Sequence, residues 1–205
     1  MTPPADRSRR DALLEGATRA VSVHGLAATT AAIAAEAGVA TGTLFVYFET
    51  KTRLLDQLYL SLKTEMGKVA TEGLVPAASP RKQLHHLWSR WIGWAVEMPE
   101  KRRALAHLEV ADEVSEETRQ ALEPAFAAAV ETLDHCREGG PMQDLPSAFV
   151  LRFLNAIADT TIDDLIEHPG PGLAAEDPRS RLTFDAMWRA LSGGDERRKG
   201  EDHEL

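Results

Sequence analysis

Cysteine is almost absent from this 205-residue chain, with Cys136 as its single representative. One thiol excludes an internal disulfide framework and fits a reducing compartment. Long apolar runs are missing too. No stretch approaches the roughly 18 consecutive apolar residues of a membrane span, and the opening MTPPADRSRR has no hydrophobic signal core. The expectation is a soluble, cytoplasmic chain with no membrane partner. Patterns for catalysis and metal binding are equally scarce. No two of the histidines (His24, His85, His86, His107, His135, His168 and His203) stand at a helical metal-binding spacing with a third ligand. Adjacent residues such as His85 and His86, or His135 and Cys136, diverge on a helix. Neither a Gly-rich phosphate loop nor a nucleophile elbow is present. The chain is therefore expected to be no enzyme and to hold no metal or cofactor. It contains no internal repeat.

The net charge of −9 is unevenly placed. Residues 1–68 carry eight Lys or Arg against seven Asp or Glu, whereas residues 69–205 carry fifteen against twenty-five. The acidity belongs to the second part, which need not approach phosphate, so nucleic-acid binding by the first part is not excluded. The length suits one domain or two small ones with a real apolar core.

The most informative stretch is Thr29 to Lys51, TTAAIAAEAGVATGTLFVYFETK. It reads as two short helices joined by a tight turn. Ile33 and Ala34 share one face of the first helix, where a small Ala34 permits a close crossing. Gly38 can take the left-handed conformation that ends a helix. Val39 is expected beneath the turn, with Leu44 and Phe48 as the buried stripe of the second helix. This pattern is that of a helix-turn-helix, whose second helix enters the major groove of DNA. An alanine-rich helical hairpin shares Ala34, Gly38 and Leu44. The continuation GTLFVYFETK, followed by Leu54 and Leu55, closely resembles the DNA-binding signature of the TetR family of transcriptional regulators. The resemblance is strong from about Asp11 to Leu62; beyond that it rests on length and helical layout.

The resemblance implies a DNA-binding set of Thr29, Thr30, Thr41, Gly42, Thr43, Phe45, Val46, Tyr47 and Lys51, with Tyr47 and Lys51 at the family's phosphate-contacting positions. Tyr47 also reads as a half-buried core tyrosine. The chain departs from the family where Ala40 replaces a common capping serine, and where Phe45 and Val46 replace a common tyrosine and histidine. Between Thr41 and Phe48 there is no Arg, Lys, Asn or Gln, so the bidentate pairs that read guanine or adenine are unavailable from this helix. Base selection is expected to rest on Thr41, Thr43, Phe45 and Val46 through methyl and hydroxyl contacts, with DNA shape contributing.

In chain order, Met1 to Ala5 is expected to be disordered, and Asp6 to cap a helix reaching about His24 that Gly25 ends. Its opening Arg7, Arg9 and Arg10 read either as solvated charge or as an arm reaching DNA. Thr29 caps the helix Thr30 to Ala37, and the recognition helix spans Thr41 to Phe48. A longer helix covers Lys51 to Thr71, and the Gly73–Pro80 segment breaks periodicity. Helices are then expected over Arg81–Met98, Lys101–Val110, Ser115–Glu138 with a kink or restart at Pro124, Ser147–Glu167 and Pro178–Leu191. The fold class is all-α with about nine helices. It divides into a helix-turn-helix DNA-binding domain (1–72), a helical ligand-binding and dimerisation domain (80–192) and a disordered tail (193–205).

By resemblance, the last two helices pair with their copies in a homodimer, with Phe149, Phe153, Ile157, Leu182, Met187 and Trp188 as interface candidates. The family's pocket lies within the body. Its lining candidates are Trp88, Trp91, Trp94, Met98, His107, Phe126 and Phe153, with Asn155 and Asp159 as polar anchors, for a small apolar or aromatic effector. Plain core packing explains the same aromatic stripes. The function implied is a ligand-responsive regulator, by family analogy a repressor, that binds a near-palindromic double-stranded operator as a dimer. A helical adaptor that has lost specific DNA binding is the alternative, kept open by the missing cap and the apolar recognition helix.

Overall fold

The computed structural model describes residues 4–194, with side chains from Ser8 onward. Among the described residues there are ten α-helices and no strand. The fold is all-helical, as expected, with one helix more than the nine anticipated. The extra one arises at Pro124, where the segment expected to run from Ser115 to Glu138 divides into α7 (Glu116–Gln120) and α8 (Glu123–Arg137). Proline is tolerated in a first turn, where its missing N–H costs no helical bond, and is excluded from a helix interior. The same physics corrects two starting points. Helix α1 spans Pro4–His24, so Asp6 lies inside its first turn instead of capping it, and Pro4 and Ala5 are helical. Helix α6 spans Pro99–Glu109, beginning two residues before Lys101 with its proline in the first turn. The expectations for Met1–Pro3, for the Arg7 side chain and for the tail from residue 195 fall outside the described residues.

The described residues pack as two compact units: those up to residue 66 with 98–124, and 67–97 with those from 125 onward. In the first, α1 turns its buried Leu13, Ala17, Ala20 and Val21 inward and ends where Gly25 adopts a positive φ of 55°. Helices α2 (Thr30–Glu36) and α3 (Thr41–Tyr47) follow. Helix α4 (Lys51–Thr71) is capped by Thr50, whose Oγ1 accepts from the Arg53 amide at 3.1 Å. Buried Leu54, Leu55, Leu58, Tyr59 and Leu62 line its inner face, and Ala104, Leu105 and Leu108 of α6 complete the core. Polar ties join α4 to the 98–124 segment. Lys63 donates to Glu109 at 2.9 Å, Lys101 to Glu65 at 2.7 Å, and buried Asp56 accepts from the Ser115 amide at 2.8 Å at the cap of α7.

The second unit contains α5 (Pro80–Glu97), α8, α9 (Ser147–Glu167) and α10 (Pro178–Ser192). Its core holds Ile92, Leu133, Ile162, Phe184 and Met187. Arg179 binds the end of α9 to the start of α10: it donates to Asp164 at 2.6 Å, to both carboxylate oxygens of Asp177 at 2.9 Å, and to the His168 carbonyl at 2.8 Å. Cys136 is buried here, which pushes its thiol up to about 12.

Candidate nucleic-acid interface

The pair α2–α3 is built by three local devices. Thr29 caps α2, its Oγ1 accepting from the Ala32 amide at 3.1 Å. Gly38 ends the helix with a φ of 68°, and a side chain there would find open space. The backbone conformation alone therefore calls for glycine. Val39 then donates its amide to the Ala34 carbonyl at 2.9 Å and closes the turn. Its side chain is half-buried and not enclosed in the core as expected, because so short a turn keeps its middle residues near solvent. Helix α3 has no side-chain cap at Ala40, as the sequence implied.

Three contacts seat this pair on the rest of its unit. Ala34 is buried, and α1 passes close to the end of α2 at Gly16. A Cβ there would stand 2.7 Å from the Ala37 amide nitrogen and 2.9 Å from the Ile33 carbonyl oxygen. Sequence reading missed this position, since a glycine inside a helix carries no signal of what passes over it. Arg19 ion-pairs with Glu36 at 2.9 Å. From below, Leu44 and Phe48 are buried as expected. Arg10 lies over the Phe48 ring at 5.5 Å and donates to Gln57 at 2.6 Å, so it locks α1 to α4 and is not a free arm. Arg9 is exposed.

With its buried side fixed, α3 presents the opposite side to solvent. Val46 is 79 % exposed and Phe45 48 % exposed. Thr41 and Gly42 are exposed; Thr43 and Tyr47 are half-buried. Thr29 is exposed and Thr30 half-buried at the start of α2. Lys51 is half-buried, and its ammonium donates to the Leu26 carbonyl at 2.6 Å. Arg53, two residues on, keeps 63 % of its side chain exposed, with Asp56 4.0 Å away. Sequence reading had not singled it out, although its spacing from Lys51 places both in the first turn of α4. The nine candidate residues thus lie at the start of α2, on α3 and at the start of α4, all in one unit, and Lys51 is the one charged side chain among them.

The candidates in the body are more dispersed. Trp88 and Trp94 are buried, and the Trp88 indole donates to buried Ser180 at 3.1 Å, so this tryptophan is already satisfied as core. Trp91, Phe126, Phe153 and Asp159 are half-buried and Asn155 is exposed. Phe126 lies against Gly67. Met98 and His107 belong to the first unit, where both are exposed and His107 lies beside Gly25. Of the interface candidates, Leu182 is 65 % and Phe149 45 % exposed. Phe153, Ile157 and Trp188 are half-buried, and Met187, an interface candidate in the sequence, is buried within the unit.

Known proteins resemble the chain in the same region. Residues 13–58 match the sequence model of the bacterial regulatory proteins of the tetR family. The chain is similar to the uncharacterized HTH-type transcriptional regulator YhgD of Bacillus subtilis, with 32% identity over 38% of this chain and 41% of that one. It is also similar to the HTH-type transcriptional regulator BetI of Agrobacterium fabrum, with 34% identity over 56% of each chain. The matched region therefore spans about half or less of these curated relatives. The similarity in structure reaches further. A Shewanella sp. PV-4 protein assigned to the tetR family of transcription regulators superposes with a TM-score of 0.78 at 25% identity, covering 89% of this chain and 97% of that one.

Proposed function

The chain belongs to the tetR family of bacterial regulatory proteins, and on that premise we propose that it is a DNA-binding regulator of transcription acting in the cytoplasm without catalytic activity. The observation that carries this reading is α3, held from beneath by Leu44 and Phe48 while Thr41, Phe45 and Val46 face outward. Such a helix fits the major groove. Thr29, Thr30 and Lys51 on its flanks and Tyr47 at its own C-terminal end serve phosphate oxygens, and Arg53 joins them. One recognition helix covers too few bases to be selective, so the regulator works as a homodimer reading a near-palindrome with heads roughly 34–36 Å apart. The exposed apolar residues of α9 and α10, Phe149 and Leu182 with Phe153, Ile157 and Trp188 beside them, support this pairing.

We assign DNA binding to residues 1–72 and ligand binding and dimerisation to residues 80–192, a functional division that differs from the packing units in that 98–124 pack with the head. By family analogy the protein is a repressor released by a small, largely apolar effector. The effector acts only through its different affinities for the DNA-competent and incompetent states. The half-buried Trp91, Phe126 and Phe153 are the pocket candidates within the aromatic set.

The test is fluorescence anisotropy of the full chain with DNA from its own promoter region, across a salt series. Tight, sequence-selective binding with a steep salt slope is expected; Tyr47→Phe should weaken it at an unchanged slope, and Arg53→Gln should weaken it and make the slope shallower. Binding without sequence preference at low salt would refute the regulator and favour the helical adaptor.

A further inference from the structure

The exposed side of α3 offers no group that can pair with a hydrogen-bonding base edge in bidentate fashion. Thr41–Tyr47 holds no Arg, Lys, Asn, Gln, Asp, Glu or His. The next ammonium in the chain, on Lys51, is drawn back to the Leu26 carbonyl, and Arg10 is committed to Gln57 and Phe48. What α3 turns outward is apolar: Val46 and Phe45 are its two large exposed side chains, adjacent in sequence. Resting on the regulator reading above, we propose that this protein selects its DNA through the 5-methyl groups of thymine, with Val46 and Phe45 as the specificity-determining residues.

The chemistry leaves little else for them to read. In the major groove each base pair is marked by acceptors, by an amino donor and, for thymine, by a methyl group. An isopropyl group or a phenyl ring answers only the methyl. Pressed against cytosine N4 or guanine O6, the same side chains would strip water from a polar atom and return no hydrogen bond. Selectivity therefore comes from both sides, as burial of a methyl at the right base and an unpaired polar edge at the wrong one. Thr41, exposed in the first turn of α3, adds a hydroxyl and a methyl of its own.

The experiment uses the full chain and duplexes that it enriches from a randomised pool. Each thymine in turn is replaced by uracil, which lacks only the 5-methyl group. At the thymines under Val46 and Phe45, affinity should fall about fourfold per position, the worth of one buried methyl at ~0.8 kcal/mol. Val46→Ala, on an exposed face where the fold is not at stake, should bind the thymine and uracil duplexes equally at one of those positions. Phe45→Ala should do so at another. Selective binding that uracil alters at no position would overturn this inference and leave the regulator standing. So would a uracil penalty that persists in full in both variants. Binding without any sequence preference would overturn the regulator reading and this inference together.

Discussion

Replacing Gly16 by alanine should loosen the reading head, and the size of the effect follows from three distances. A methyl at Gly16 would stand 2.7 Å from the Ala37 nitrogen, 2.9 Å from the Ala37 Cβ and 2.9 Å from the Ile33 oxygen. Two of these atoms are backbone and the third is fixed to it, so no rotamer change relieves the overlap. The end of α2 must move away from α1. Overpacking of this kind costs about 1–3 kcal/mol, and a contact with backbone at three points belongs at the upper end. Against it stands the helix propensity of alanine over glycine, worth ~1 kcal/mol. The balance is a net destabilisation of about 2 kcal/mol. For a chain of this size that is a fall in Tm of about 4–8 °C. Thermal unfolding followed by far-ultraviolet circular dichroism measures it, and urea unfolding should show a lower midpoint at unchanged slope. A Tm equal to or above that of the wild type would refute the reasoning, because it would mean that α1 and α2 are not in contact at this point.

Gly93 supplies the opposite expectation. It also lies inside a helix, α5, but a Cβ there meets nothing within 4 Å; Gly93→Ala should therefore raise stability by about 0.5–1 kcal/mol, and a fall in Tm would contradict it. The Arg179 clasp should give stability an acid limb. Arg179 holds the Asp177 carboxyl down to about 2, and a carboxyl depressed in the folded state contributes stability that is complete above its unfolded pKa of about 4 and disappears as pH falls towards 2. Tm plotted against pH should drop across that window in the wild type and less steeply in Arg179→Gln; parallel curves would remove Arg179 as the cause. Cys136, with its thiol pushed up to about 12 by burial, should resist a thiol-labelling reagent near neutral pH and react once the chain is unfolded. Labelling of the native protein at the rate of a free thiol would show that it is not enclosed.

Much of the reading head is legible in one dimension because its determinants are local. Thr29 as a cap, Gly38 as a left-handed turn and Leu44 with Phe48 as a buried stripe each depend on residues a few positions away, and each is found in place. The bounds of α9 and the end of α1 were equally readable from periodicity and Gly25. Proline misled in proportion to how it was used. As a breaker inside Ser115–Glu138 it was read correctly, whereas at Pro4 and Pro99 its fitness for a first turn was overlooked. The body was harder. Trp88 looks the same in sequence whether it lines a pocket or donates to Ser180 from within a core, and a helical stripe does not say which of its members face a neighbour.

By itself, then, the sequence determined the helical class, the helix-turn-helix and the absence of base-pairing side chains on its second helix. All of these follow from residue type and spacing within about two turns. Tertiary structure alone decided what lies far apart in the chain: that Gly16 makes room for α2, that Arg10 is spent on Gln57 and Phe48, and that residues 98–124 pack with the head. It also decided that Met187 is buried while Leu182, on the same helix, is exposed. The physical reason is the range of the forces. Backbone conformation and capping are settled between neighbours, while close packing and desolvation depend on which surfaces the completed chain brings together.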